Sequence, residues 1–178
     1  MGQRSKRLVI DTDVMRSAGG EDAQATRSKQ CRDLLKTVKD TDYGVVLTAM
    51  ISEEWRKHQS RFARTWLVSM YAKRKVYHAD APVNQQLRSK VEQATEEEQK
   101  RNVMLKDFHL IEAALQTDKT VISVDETVRL CFHTVAQRVH ILKHIIWVNP
   151  CKDDGLCIEW LHNGAESEQK RLLGHEED

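Results

Sequence analysis

Four carboxylates, Asp11, Glu54, Asp107 and Asp125, stand where folding alone gives them little to do. Asp11 directly follows the apolar run Leu8-Val9-Ile10, and Asp125 follows Val121-Ile122-Ser123-Val124. Short apolar runs rich in β-branched residues read as buried parallel strands. In open parallel sheets ligands bind just beyond the carboxyl ends of the strands, so both acids should reach the same edge. Each aspartate also reads, alone, as the N-cap of the helix after it. Two acid-ended strands favour a shared site over two separate caps.

Asp107 lies inside a helical segment. At about 100° per residue, Met104, Phe108, Leu110, Ile111, Ala114 and Leu115 form one apolar arc. Asp107 falls within it, whereas His109 and Glu112 are expected to point away. A carboxylate facing a core is costly unless a charge compensates it. Glu54 lies at the edge of the stripe Ile51, Trp55, Phe62 and Trp66, and Glu53 lies nearly opposite. Glu54 is therefore the better ligand, with an ordinary solvated Glu pair as the competing reading. Carboxylate oxygens are hard donors that suit Mg²⁺ or Mn²⁺ rather than zinc. One such ion, or a pair roughly 4 Å apart, can activate water and stabilise a leaving oxygen in phosphodiester cleavage.

The run Leu8-Val9-Ile10-Asp11-Thr12-Asp13-Val14-Met15 resembles the opening of the PIN-domain nucleases. Glu54, just after Thr48 at the start of a long helix, is similar to that family's glutamate position. Lys106-Asp107-Phe108-His109-Leu110-Ile111-Glu112-Ala113-Ala114-Leu115 resembles its third acidic segment, and Ser123-Val124-Asp125 its Ser/Thr-x-Asp strand ending. The ordered set covers about residues 7 to 163. The resemblance implies a PIN-like fold and a metal-dependent nuclease, usually acting on RNA. Asp11, Glu54, Asp107 and Asp125 would be the catalytic and metal-binding acids. Asp13 takes a position where the family often has Asn, Ser or Thr and is second tier; Thr12 and Ser123 would support. Many proteins of this kind are toxins held by an antitoxin. An antitoxin, another protein partner or a homodimer are all compatible with the sequence.

Three other readings compete. A haloacid-dehalogenase-like phosphatase also begins with a strand and Asp-x-Asp, but Met15 stands where it wants Thr or Val, and it gives Glu54 and Asp107 no role. A nuclease-like fold kept as a binding module would be marked by a missing acid, and none is missing. A receiver domain would need an Asp where the second strand ends in Leu47-Thr48.

From Trp55 to Ala79 there is no Asp or Glu, but Arg56, Lys57, Arg61, Arg64, Lys73, Arg74 and Lys75 occur. Such a surface suits nucleic-acid phosphates, although most charged helix faces are simply solvated. On one continuous helix Arg61 falls in line with Glu54, two turns on, with Lys57 beside them. Lys57, Arg61 and Arg64 are the candidate nucleic-acid-binding residues.

The elements that must position these groups alternate between strand and helix. Strands are expected at Arg7–Asp11, Tyr43–Leu47, Val121–Val124 and Ile145–Val148, with a short extended piece at Val76–His78. Helices are expected at Asp22–Val38, from Thr48 to about Lys75, from Pro82 to Leu115 in one piece or with a break, Glu126–Val139 and Asp154–His162. This order predicts an α/β chain, a three-layer α/β/α sandwich around a mainly parallel sheet. Its 178 residues suit one domain over residues 1–163, followed by a charged tail from Gly164 to Asp178 that should fray. With 40% hydrophobic and 31% charged residues and a net charge of +1, overall charge selects no partner class. No apolar run is long enough to span a membrane, and no signal peptide is evident, so a cytoplasmic protein with reduced thiols is expected. Cys31, Cys131, Cys151 and Cys157 fit no zinc pattern, though Cys151 and Cys157 could reach each other. The four tryptophans read as core.

Overall fold

The computed structural model describes residues 5–152 and 155–175. Five strands form one sheet: β1 Arg7–Ile10, β2 Gly44–Leu47, β3 Val76–His78, β4 Thr120–Ile122 and β5 Ile146–Val148. Their order is β3-β2-β1-β4-β5, and every pairing is parallel. The extended piece at Val76–His78 is thus a full sheet member at one edge. Each central strand is apolar on both faces because helices cover both, as in other all-parallel sheets.

The helices are α1 Thr12–Ser17, α2 Thr26–Asp40, α3 Ala49–His58, α4 Arg61–Ala72, α5 Gln85–Gln93, α6 Glu98–Leu115, α7 Glu126–Ala136 and α8 Leu156–His162. One group packs α2 against α4 and α8; another packs α6 against α5 and α7. α1 and α3 connect them at the carboxyl end of β1. The result is a three-layer α/β/α sandwich. Trp55, Trp66, Trp147 and Trp160 are all buried. The expected start of the last helix at Asp154 lies outside the described residues.

The segment expected to be one helix from Thr48 to Lys75 is two. Ser60 caps α4 through its hydroxyl, which accepts from Ala63 N–H at 3.2 Å. The backbone N–H of Ser60 donates to Met15 O, and that of Phe62 to Gly19 O. These tertiary bonds take donors that a continuous helix would have used internally. The loop receiving them is itself built: Gly19 sits at φ +63°, where an added Cβ would come within 3.1 Å of Ala23 Cβ. Buried Arg32 donates to the carbonyls of Ala18, Gly20 and Ala23 at 2.6–2.9 Å.

The tail also differs from expectation. Leu172 bridges Ile146 on the free edge of β5, Leu173 and Ala165 are buried, and Leu173 N–H donates to Ile145 O. Two apolar side chains and a covered sheet edge repay the ordering of this segment. Residues 176–178 lie outside the described residues. Among the described residues no helix is long and apolar enough to cross a membrane.

Candidate active site

β1 and β4 are neighbours in register, Val9 opposite Val121 and Ile10 opposite Ile122. Their carboxyl ends therefore bring Asp11 and Asp125 to one edge of the sheet. The Ser123 hydroxyl donates to Asp11 Oδ2 at 2.6 Å and accepts the Asp125 N–H at 3.1 Å. Both aspartates are also helix caps. Asp11 Oδ1 accepts from Asp13 N–H at 3.4 Å, and Asp125 Oδ1 from Val128 N–H at 3.0 Å. The capping reading is realised at both aspartates; Asp11 uses its second oxygen, Oδ2, to accept from Ser123.

Glu54 reaches the same edge from α3. The Trp55 indole N–H donates to Ile10 O at 3.2 Å and ties this helix to the end of β1. A net hydrogen bond of about 1 kcal/mol adds here to the burial of a whole indole. Glu54 Oε2 accepts from the Thr12 hydroxyl and the His109 Nε2–H, both at 3.1 Å. Glu53 lies in solvent and pairs with Lys57 at 2.6 Å. The angular placement is as expected, Glu54 at the edge of the buried stripe and Glu53 facing water.

The angular reading of α6 does not hold. His109 and Glu112, expected to point away from the core, are buried, and Asp107 is only half-buried. The carboxyl half of α6 is covered on nearly every side, so a single apolar arc does not describe it. The buried polar groups are compensated one by one. Glu112 accepts from Arg88 Nε and Nη2 at 2.9 and 2.8 Å and from Asn84 N–H at 2.7 Å. His109 Nδ1 faces Lys106 O at 3.2 Å, while Nε2 faces Glu54. Both partners are acceptors, an arrangement that favours the protonated ring, which can donate from each nitrogen. Burial pulls its pKa down, but the Glu54 carboxylate outweighs that and leaves it above its ordinary value.

Asp107 sits within α6 and cannot be a cap. Among the described residues no hydrogen bond or ion pair reaches its carboxylate. Burial pushes its pKa up; the cations Lys106 and His109 oppose this at longer range, and the charges of Asp125 and Glu54 add to it. Asp11 is pushed up to about 7, by burial first and then by the charges of Asp13 and Asp107, against the Ser123 hydrogen bond. Glu54 goes the other way, held below its usual range by the His109 hydrogen bond and, more weakly, by Thr12, with burial opposing. Asp13 is engaged elsewhere, in an ion pair with Arg16 at 2.5 Å.

Asp107 is the link among the acids: its charge acts on Asp11, and those of Asp125 and Glu54 act on it. Among the described residues no three His, Cys, Asp or Glu side chains are gathered, as they lie, into a group that could hold a metal ion. The donor chemistry nonetheless suits a cation: Asp11 and Asp107 are short of positive partners, and both carry oxygen donors alone. Glu54 is already taken up by Thr12 and His109, which leaves Asp11, Asp107 and Asp125 as the better ligand set.

The cationic face is also rearranged. Arg61 and Arg64 are exposed on α4, beyond the break at Gln59-Ser60, so the alignment of Arg61 with Glu54 along one helix does not apply. Lys57 serves Glu53 rather than flanking Glu54. Arg61 instead borders a groove with Gly20, Glu21, Asp22, Phe62 and Thr65. Besides His109, the cation that acts on both Glu54 and Asp107 is Lys106, exposed on α6. It was visible in sequence as the residue before Asp107. Neither protein-family models nor curated proteins give a match to this chain.

Proposed function

We propose that this protein is a Mg²⁺- or Mn²⁺-dependent nuclease of the PIN-like kind, acting as an endoribonuclease. The observation that carries the reading is the Asp11–Ser123–Asp125 arrangement, faced by an Asp107 carboxylate with no donor of its own. Asp11, Asp107 and Asp125 would hold the cation. When bound, it would supply the positive charge that eases deprotonation of water and steadies the leaving oxygen. Ser123 fixes the rotamer of Asp11, and Thr12 with His109 fixes that of Glu54.

Exposed Lys106 beside the acids offers a phosphate contact, and Arg56, Arg61 and Arg64 are exposed cations on α3 and α4. The family resemblance also supports a toxin role, with an antitoxin as protein partner. The test is cleavage of single-stranded RNA, duplex RNA and DNA in Mn²⁺. Internal cuts in RNA support the reading. Hydrolysis of small phosphomonoesters alone would replace it with a phosphatase, and RNA binding without cleavage in any metal would leave a binding module.

A further inference from the structure

Cys31 and Cys151 are 120 positions apart in the chain, yet their sulfur atoms stand 4.0 Å apart. Cys31 is wholly buried on α2; Cys151 is half-buried in the turn that follows β5. Cys157, buried on α8, is close enough to act electrostatically on Cys31. From the sequence, reduced thiols are expected, with the note only that Cys151 and Cys157, six residues apart, could reach each other; the packing of α2 beside α8 is hidden there. The turn is anchored toward the acidic edge. Cys151 N–H donates to Asn149 Oδ1 at 3.0 Å, and Asn149 Nδ2 donates at 3.2 Å to Glu126, the residue after Asp125.

We propose that Cys31 and Cys151 form a peroxide-driven disulfide that fastens α2 to the β5–α8 turn. The two sulfurs are already within 4.0 Å and must close to the bonding distance of about 2.05 Å. Cys151, the more accessible thiol, attacks the outer oxygen of a hydroperoxide, ROOH. An S–O bond forms, the O–O bond breaks, and the alkoxide leaves with the thiol proton as ROH. The Cys31 sulfur then attacks the Cys151 sulfur; hydroxide leaves and takes the Cys31 proton as water. Two thiols lose two electrons, and the hydroperoxide is reduced. The neighbouring Cys151 sulfur and burial both push the Cys31 thiol well above its ordinary range, so closure is slow at neutral pH and faster in alkali.

The experiment treats the folded full chain with hydrogen peroxide, alkylates the remaining thiols under denaturing conditions and maps the products by mass spectrometry without reduction. The expected product is one cross-linked peptide pair containing Cys31 and Cys151, reversed by dithiothreitol, with the oxidised protein melting several degrees higher. Cys151→Ser and Cys31→Ala each abolish the cross-link, and Cys131→Ala leaves it intact. A Cys151–Cys157 link would overturn the assignment. So would Cys151 oxidised to sulfinic acid with Cys31 still open to alkylation.

Discussion

The Ser123 hydroxyl lies 2.6 Å from Asp11 Oδ2 and also receives the backbone N–H of Asp125. One small side chain thereby links the ends of two adjacent strands. Ser123→Ala should leave the fold intact, since Ser123 is buried among strand residues where alanine fits. It removes the hydrogen bond that lowers the Asp11 pKa. The expected outcome is a loss of about 1 kcal/mol in urea unfolding at pH 8, with a larger proportional loss in metal affinity by calorimetry.

Stability should fall as pH rises from 5 to 8. Asp11 is pushed up to about 7 in the folded protein, far above an ordinary aspartate, so the native state holds its proton more tightly than the unfolded chain. Such a group's contribution is complete at low pH and is lost as pH rises through the folded pKa. Asp107 and His109, both raised, act in the same direction. The depressed Glu54 titrates below this window. Urea unfolding without metal should show a decrease of about 2–3 kcal/mol from Asp11 between pH 5 and 8. A flat profile would contradict the burial of that carboxylate among other acids.

Breaking the buried pair on α5 and α6 should be costly. Among the described residues, Arg88→Met leaves the Glu112 carboxylate, 3% exposed, with the Asn84 N–H as its one remaining donor. A loss of about 3 kcal/mol is expected, measured by thermal or urea unfolding. The double change Arg88→Met with Glu112→Leu should recover most of it, because the stranded charge is gone.

His109→Ala should cost about 1–2 kcal/mol, discounted because the Glu54 side chain is 34% exposed. A double-mutant cycle with Glu54→Gln should return a favourable coupling; a coupling of zero would mean that the imidazolium does not hold Glu54.

Strands were readable wherever an apolar run was bounded by turns; that β1 and β4 are neighbours, and in what register, came from the fold. The sheet membership of β3 was not readable, because Val76-Tyr77-His78 lies at an exposed edge and carries no apolar run, unlike the equally short but buried β4 and β5. Neither Gly nor Pro marks the break at Gln59-Ser60; it comes from Met15 O and Gly19 O, which only the assembled fold supplies. Helical periodicity located Glu54 because one side of α3 is wet. It misjudged His109 and Glu112 because α6 is enclosed, and there polar side chains are buried with partners drawn from α3 and α5. Asp11 and Asp125 were legible as strand-end acids. That Asp107 keeps no donor, and that Lys57 turns to Glu53, were not.

The central claim is tested most directly by Mn²⁺-dependent cleavage of a single-stranded RNA by the wild-type chain beside Asp11→Asn and Asp125→Asn, each shown by circular dichroism to be folded. Wild type should cut internally, lose activity with chelator and regain it on adding metal. Both variants should lose at least about 10²-fold in rate, as expected when a residue central to charge stabilisation is removed. Undiminished cleavage by both folded variants would contradict the assignment of the acidic edge as the active site.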